Sequence, residues 1–431
     1  MKKGFLIALF TTITLAGSSQ LLKLEDAVNI ALKNSLDIQL LKNNQNIADI
    51  NNHIGIAGGL PSLTAGATDN EQITNVDQKL NTGTVIHRNA AVGNNFNSNI
   101  TAGMLLYNGS RVIATKKRLD ELESQSVQYV NAEVQNLMAS VMTGYFDVVR
   151  QQSYYKTLGQ SLEVAQKRLD IVKTQQMVGM ANNADLFQSQ LDLNTIIQNR
   201  ESQSLIVQQA KTDLLVLLNL RPDSLIAVED TIIVDKSLIL GDVLNNIGKN
   251  AELMAAGQQI SINEQIVKET RAQRYPSLRA NASYSFGRSQ ISAGNVLLNK
   301  TQGFQGGLSL GIPIYNGSIY KRQERVAQIN VKNAGLQRDI LMRDFTGNAV
   351  RTFQAYNNTL QQLETQQQNL LLARKLLDLV LLRYQLREAT ILEVRQAQES
   401  FENASFMMTN LSFTSKSSEI ELKRLTNQIS L

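Results

Sequence analysis

The residues able to carry out acid–base, nucleophilic or metal chemistry are few in this sequence. The chain of 431 residues has two histidines, His53 and His87, and no cysteine. The absence of cysteine excludes disulfides, thiolate metal ligands and a cysteine nucleophile. Neither histidine has a paired nucleophile or suitably spaced carboxylates for a hydrolytic triad or a metal site. The sequence therefore predicts no enzymatic activity, no cofactor and no metal centre.

Composition and the first residues indicate an exported protein with a large folded core. Hydrophobic residues make up 43% of the chain, and a net charge of +5 is too weak to indicate nucleic-acid binding. Lys2 and Lys3 precede an apolar run of twelve residues, 5–16, and the small residues that follow it. This order is typical of a secretory signal peptide, which we assign to residues 1–19. The alternative is a buried N-terminal helix.

The chain carries a long internal repeat. Three short segments recur in the same order about 208 to 216 positions later, a distance that indicates a duplicated domain and not a solenoid unit of ~20–50 residues. We predict a first repeat over residues 20–224, a linker over 225–237 and a second repeat over 238–431. The recurring pairs are Leu24-Glu25-Asp26 with Leu240-Gly241-Asp242, Pro61-Ser62-Leu63 with Pro276-Ser277-Leu278, and Tyr107-Asn108-Gly109 with Tyr315-Asn316-Gly317.

Each repeat contains a stretch in which apolar and polar residues alternate with a period of two. These stretches predict β-hairpins over 62–107 and 277–315, with strands of about 10–13 residues and exposed loops near 74–95 and 291–301. Such strands have the length of tilted membrane strands, which need about 9–11 residues. Because four strands are too few to close a barrel, the sequence predicts a barrel of 8, 12 or 16 strands shared between two, three or four chains.

Helical periodicity occupies the rest of each repeat. It predicts an opening helix, a very long helix and a returning helix, with apolar residues at the heptad spacing of a coiled coil. The two shorter helices together match the long one in length, so we expect them to be stacked end to end beside it. The predicted ranges are 24–56, 111–178 and 185–219 in the first repeat, and 242–274, 318–386 and 392–426 in the second.

These features together resemble the TolC-type outer-membrane efflux proteins, also called outer membrane factors. No single motif is specific, but their order and spacing are, and the resemblance covers the whole mature chain. The residues that carry it are Leu24-Glu25-Asp26-Ala27-Val28, the Pro-Ser-Leu turns into strands, Tyr107-Asn108-Gly109, Pro313-Ile314-Tyr315-Asn316-Gly317, and the tips Met177-Val178-Gly179 and Arg383-Tyr384-Gln385-Leu386.

The resemblance implies the fold class and the partners. It implies an α+β membrane protein, in which a trimeric β-barrel of twelve strands continues into a long periplasmic barrel of coiled-coil helices. It further implies a homotrimer in outer-membrane lipid that docks to a periplasmic adaptor, or membrane fusion protein. That adaptor would link it to an inner-membrane pump of the RND, ABC or MFS type. No nucleic acid is expected as a partner.

The resemblance also implies roles for residues at the helical tips. Asp185 and Glu393 would form acidic rings, and Tyr384 would join the contacts that close the periplasmic entrance. The chain departs from the family where Arg387 replaces the usual glycine and Ala389 replaces an arginine that gates some members. Arg387 is included among the predicted gate residues, and whether it substitutes for that arginine is left open. For both carboxylates the alternative role is stabilisation of a helix N-terminus. The residues predicted to contact the adaptor are Gly179, Met180, Leu386 and Glu388.

The predicted function is a passive outer-membrane exit duct of a tripartite efflux system. A type I protein-secretion duct has the same architecture, and its cargo is set by the partner pump. A periplasmic coiled-coil adaptor is the alternative from another class. The two-fold repeat weighs against this alternative, because the single helical hairpin of an adaptor is not duplicated.

Overall fold

The structure, a computed structural model, describes residues 20–228 and 231–430. The predicted signal peptide therefore lies outside the described residues. By internal contacts the chain divides into two units. We call the part of residues 1–40, 130–251 and 342–431 that is described the helical unit, and residues 41–129 and 252–341 the sheet unit. Both units draw on both sequence repeats, so the structural division cuts across the duplication.

Two pairs of long helices dominate the chain. The long and returning helices of the first repeat are α3 and α4, and those of the second are α7 and α8. Their lengths are the same in both repeats, at 67 and 35 residues. Every end lies within two residues of the position that the apolar periodicity predicts. The bounds are α3 Arg111–Met177, α4 Asn183–Leu217, α7 Ile319–Gln385 and α8 Ile391–Leu425.

The opening helix of each repeat is broken, which corrects the predictions of single helices over 24–56 and 242–274. Ser35 and Asn250 adopt extended backbone with ψ of 124° and 131°. The Ser35 hydroxyl accepts a hydrogen bond from the Ile38 amide at 3.2 Å, so it caps the second segment. A one-residue break leaves the apolar period unchanged, which is why the pattern does not reveal it. The segments are α1 Leu24–Asn34, α2 Leu36–Asn51, α5 Leu240–Asn246, a 3-10 turn Ile247–Lys249 and α6 Ala251–Ala272.

The sheet unit contains one antiparallel sheet of four strands in the order β2-β3-β5-β6. Its strands are longer than predicted, at 14 to 23 residues. The predicted loop 74–95 is wrong over most of its length, and the predicted loop 291–301 is wrong at Ile291 and from Leu298 onward. Within the two hairpins, only residues 80–84 and 292–297 lie between the paired strands. In the first hairpin, the Asn- and Thr-rich segment continues the pairing past a bulge between Thr74 and Val76. The strands are β2 Ser62–Lys79, β3 Val85–Tyr107, β5 Ser277–Ile291 and β6 Leu298–Gly311.

Backbone geometry repeats along with the sequence. Four pairs of residues in the left-handed region, each separated by 208 positions, mark the ends of the same elements in both repeats. The φ angles within each pair agree to within 5°. The duplication has therefore kept its turns as well as its apolar pattern. The pairs are Gly109 and Gly317, Ser110 and Ser318, Gly179 and Arg387, and Asn219 and Asn427.

A short parallel pair closes the helical unit. Residues Gln20–Leu22 form β1, which pairs with β4, Ile226–Val228, inside the predicted linker. Further along the linker, the Asp235 carboxylate accepts a hydrogen bond from the Ser237 hydroxyl at 2.6 Å. It also forms an ion pair with Lys423 at 3.1 Å. The buried carboxylate of Glu419 accepts the Asp235 backbone amide at 2.9 Å. The linker is thus held against α8 by charge-assisted bonds.

None of the helices in residues 20–228 and 231–430 combines the length and the apolar character that crossing a membrane requires.

Candidate functional site

The turns between paired helices, residues 178–182 and 386–390, share one backbone geometry. Gly179 has a φ of +72° and Arg387 a φ of +68°. The residue after each donates its amide to a carbonyl five positions back, Met180 to Gln175 at 2.7 Å and Glu388 to Arg383 at 2.8 Å. A residue with a Cβ carries a cost of roughly 1–2 kcal/mol in this conformation. Arg387 therefore occupies a position whose backbone favours glycine.

The carboxylate of Glu393 is engaged in capping α8. Its oxygen accepts the amide of Thr390 at 2.6 Å and the hydroxyl of the same residue at 2.9 Å. The Thr390 hydroxyl in turn accepts the amide of Glu393 at 3.3 Å, which completes a capping box. These bonds lower the pKa of Glu393. Glu393 therefore stabilises the N-terminus of α8, which is the alternative role considered for it above.

Asp185 lies in the first turn of α4 but does not act as its cap. The cap is the side chain of Asn182, which accepts the backbone amide of Asp185 at 2.8 Å. The Asp185 carboxylate is half-buried and acts electrostatically on Tyr384 of α7. The structure thus places Asp185 close enough to Tyr384 for its charge to act on the tyrosine hydroxyl.

Tyr384 is buried in an apolar cluster near the tips. It packs with Val172, Leu377, Val394 and Phe401, drawn from three helices of the helical unit. Burial raises the pKa of its hydroxyl, the Asp185 charge raises it further, and Arg168 opposes both. The side chain therefore anchors α7 through packing and faces charged groups with its hydroxyl.

Arg168 is the largest fully buried side chain of the described chain, with 1% of its surface exposed. One nitrogen donates to Asp192 of α4 at 2.8 Å, while its Nε and its other terminal nitrogen have no hydrogen-bond partner. Burial lowers the pKa of the guanidinium, opposed by the charges of Asp192 and Tyr384. Sequence reasoning missed this residue, although its spacing from Ala165, Leu169 and Val172 places it on the apolar seam of α3.

The residues predicted to contact an adaptor lie at the two turns. Met180 and Leu386 expose 59% and 63% of their surfaces, and Glu388 is exposed as well. Gly179 and Arg387 form the bends between them. The eight predicted site residues therefore all lie in the turns or at the adjoining helix ends of the helical unit. No cluster of metal-ligating side chains occurs in the described residues.

Comparison with known proteins gives the family. The model of the outer membrane efflux protein family matches residues 27–220 and 245–428, one segment in each repeat. The chain belongs to the outer membrane efflux protein family. Its helical part is periplasmic and its site of action is the outer membrane, which confirms the location that the resemblance implied. The mostly helical chain with one sheet of four strands confirms the α+β fold of a single chain.

Individual relatives of this family member are distant in sequence and close in fold. Outer membrane protein TolC of Escherichia coli strain K12 is 22% identical over 345 residues, which cover 77% of this chain and 70% of TolC. The Campylobacter jejuni CmeC outer membrane channel superposes with a TM-score of 0.79 at 16% identity, over 94% of this chain and 85% of CmeC. The outer membrane protein VceC of Vibrio cholerae superposes with a TM-score of 0.76 at 17% identity, over 94% of this chain and 96% of VceC.

Proposed function

We propose that the chain forms a trimeric outer-membrane duct through which an inner-membrane pump, reached through a periplasmic adaptor, expels its substrates. The duct conducts and does not transform what passes through it. The observation that carries this proposal is the sheet, whose two faces differ in polarity and whose two edge strands have no partner within the described chain.

One face of the sheet has the character of a lipid-facing surface. On β5 the apolar residues run from Leu278 to Phe286, and on β6 Phe304, Leu308 and Leu310 each expose more than 60% of their surface. At ~3.4 Å per residue and a tilt of ~40°, the stretch from Leu278 to Phe286 rises about 21 Å, close to the ~25 Å apolar band of membrane strands. The opposite face carries Asn, Ser, Thr and Gln.

The two open edges provide the means of assembly. β2 and β6 are the outer strands of the sheet, and unpaired edges of this length require partners in a membrane. Pairing β6 of one chain with β2 of the next closes a ring, and three chains supply twelve strands. This closure supports the trimer implied by the family resemblance.

The test is single-channel conductance of the detergent-purified, unheated protein in a planar bilayer, with its mass measured in the same detergent. We expect a trimer with a small, long-lived conductance. A monomer that does not conduct would contradict the shared-sheet assembly and favour a coiled-coil protein without a pore.

We further propose that Asp185 supplies the acidic ring at the periplasmic entrance, with Glu393 contributing through its capped carboxylate. Replacement of both residues by Ala should weaken block by multivalent cations in the same recordings. Glu399, an exposed carboxylate of α8, provides the matched control when replaced by Ala. Unchanged block in the double variant would remove the assignment.

A further inference from the structure

A cavity of about 580 Å³ opens in the sheet unit where the strands meet the helices. Its lining combines apolar residues with polar ones, among them Arg111, Arg279, Tyr275 and Tyr320, whose side chains carry hydrogen-bond donors. Neither Asp nor Glu is among the described residues that line it. A concave site with fixed positive charge and no carboxylate is complementary to an anion.

Some arginines of the same unit are neutralised by carboxylates and others are not. Arg118 pairs with Glu269 at 2.7 Å, and Arg274 pairs with Glu324 at 2.9 Å. Arg111 and Arg279 form neither an ion pair nor a side-chain hydrogen bond with any residue that the structure describes. Both side chains are exposed, so both guanidinium groups are available to an anion.

Local structure does not require these charges. Arg111 is the first residue of α3, where a cation opposes the helix dipole and is unfavourable by about 0.3–1 kcal/mol. The adjacent Val112 amide already has a cap in the side chain of Asn108 at 3.3 Å. The position of Arg111 is therefore unfavourable for the helix and is accounted for if a bound anion offsets the cost.

The strand register places Arg279 on the polar face of the sheet. Ser277 and Asn281, two positions away on either side, share that face, while Leu278 and Ala280 belong to the apolar one. Gly109 shapes the same corner, because a Cβ there would lie 2.7 Å from the Cβ of Tyr275. In the proposed duct the polar face borders the lumen.

We propose that this cavity binds an anionic group, phosphate or carboxylate, of a solute moving through the duct. The inference rests on the proposed function for its access to solutes, but binding itself can be measured without conduction. Arg111 and Arg279 would hold the anion from the helix side and the strand side, with the two tyrosine hydroxyls completing its hydrogen bonds.

The experiment measures inorganic phosphate binding to the purified full-length protein by isothermal titration calorimetry. The test variant is Arg111→Gln with Arg279→Gln, and the control is Arg288→Gln, an exposed arginine near the other end of β5. We expect the dissociation constant to rise at least fivefold in the double variant and to stay within twofold in the control. No phosphate binding by the unaltered protein, or an equal rise in the control, would overturn the proposal.

Two further measurements distinguish a lipid headgroup from a free anion, and the anion site from the proposed duct. Native mass spectrometry shows whether the protein retains phospholipid. If the unaltered protein retains it, the double variant loses it and phosphate binding is the same in both, the cavity is a lipid site and the proposal is overturned. Phosphate that binds through both arginines in a protein without conductance would support the anion site and contradict the duct.

Discussion

Asp192→Asn should destabilise the helical unit more than replacement of an exposed carboxylate, because it removes the ion-pair partner of the buried Arg168. Arg168 is 1% exposed, and its one side-chain hydrogen bond in the described chain is the 2.8 Å contact with Asp192. Loss of one partner of a buried ion pair costs about 3–5 kcal/mol. Asp192 itself retains 15% side-chain exposure, so water reaches the pair from one side and the lower end, about 3 kcal/mol, is expected.

The assay is urea unfolding of the purified protein in detergent, followed by far-ultraviolet circular dichroism. Asp170→Asn removes an exposed carboxylate from α3 and serves as the control, with an expected change below about 0.5 kcal/mol. The double replacement Arg168→Met with Asp192→Leu removes both charges together. It should recover most of the lost stability, since apolar replacement of a whole buried pair is often neutral or stabilising, by about 1–4 kcal/mol.

Two results would refute this reasoning. A change below about 1 kcal/mol for Asp192→Asn would mean that the guanidinium is solvated or finds another acceptor. A double variant as unstable as the single one would mean that the pair contributes through shape and not through charge. Conductance of the stable double variant gives a second readout. An altered closed level would show that the pair also positions Tyr384.

Three further predictions concern the turns and the linker. Arg387→Gly should raise the free energy of unfolding by about 1 kcal/mol by removing a side chain from left-handed backbone, and Gly179→Ala should lower it by a similar amount; equal unfolding midpoints for both would contradict the strain. Thr390→Ala should cost about 1 kcal/mol by removing the α8 cap, with Thr390→Ser close to neutral as its control in the same unfolding assay. The Ser237 hydrogen bonds hold the pKa of Asp235 at about 2, below its usual 3.8, so the stabilising effect of its charge is complete above pH 4 and disappears as the pH falls towards 2. The free energy of unfolding of Asp235→Asn should lack that part of the acid dependence. An unchanged acid dependence in this variant would exclude a stabilising role for the Asp235 charge.

The long elements are predictable from the sequence because their signals accumulate over many residues. The apolar period of α3 and α7 continues for 67 residues, and Pro61 and Pro276 mark where the opening helices must have ended. Ser35 and Asn250 interrupt those helices without shifting the period, so the interruptions are visible only in three dimensions. The sequence predicts loops at the polar ends of the hairpins, because Asn and Gly are common both in loops and in these strands.

The candidate site is less predictable, because its contacts join residues distant in sequence. Glu393 and Thr390 form a capping box that sequence spacing does indicate, and the structure contains it. The pairing of Arg168 with Asp192 depends on the register between α3 and α4, which periodicity alone leaves undetermined. A charged residue on an apolar seam was the available signal for Arg168, and it identifies a buried charge without identifying its partner.

The discontinuous course of the helical unit has a consequence for export. Its core brings together Val28 near the start, Val141 and Leu214 in the middle, and Ile420 close to the end of the chain. β1 likewise finds its partner only after more than 200 residues. Because contacts of such long range form last, a chain emerging N-terminus first has no complete core to collapse onto until its final helix arrives. Folding of the helical unit therefore follows translocation, and the chain remains unfolded enough to be translocated until its export is complete.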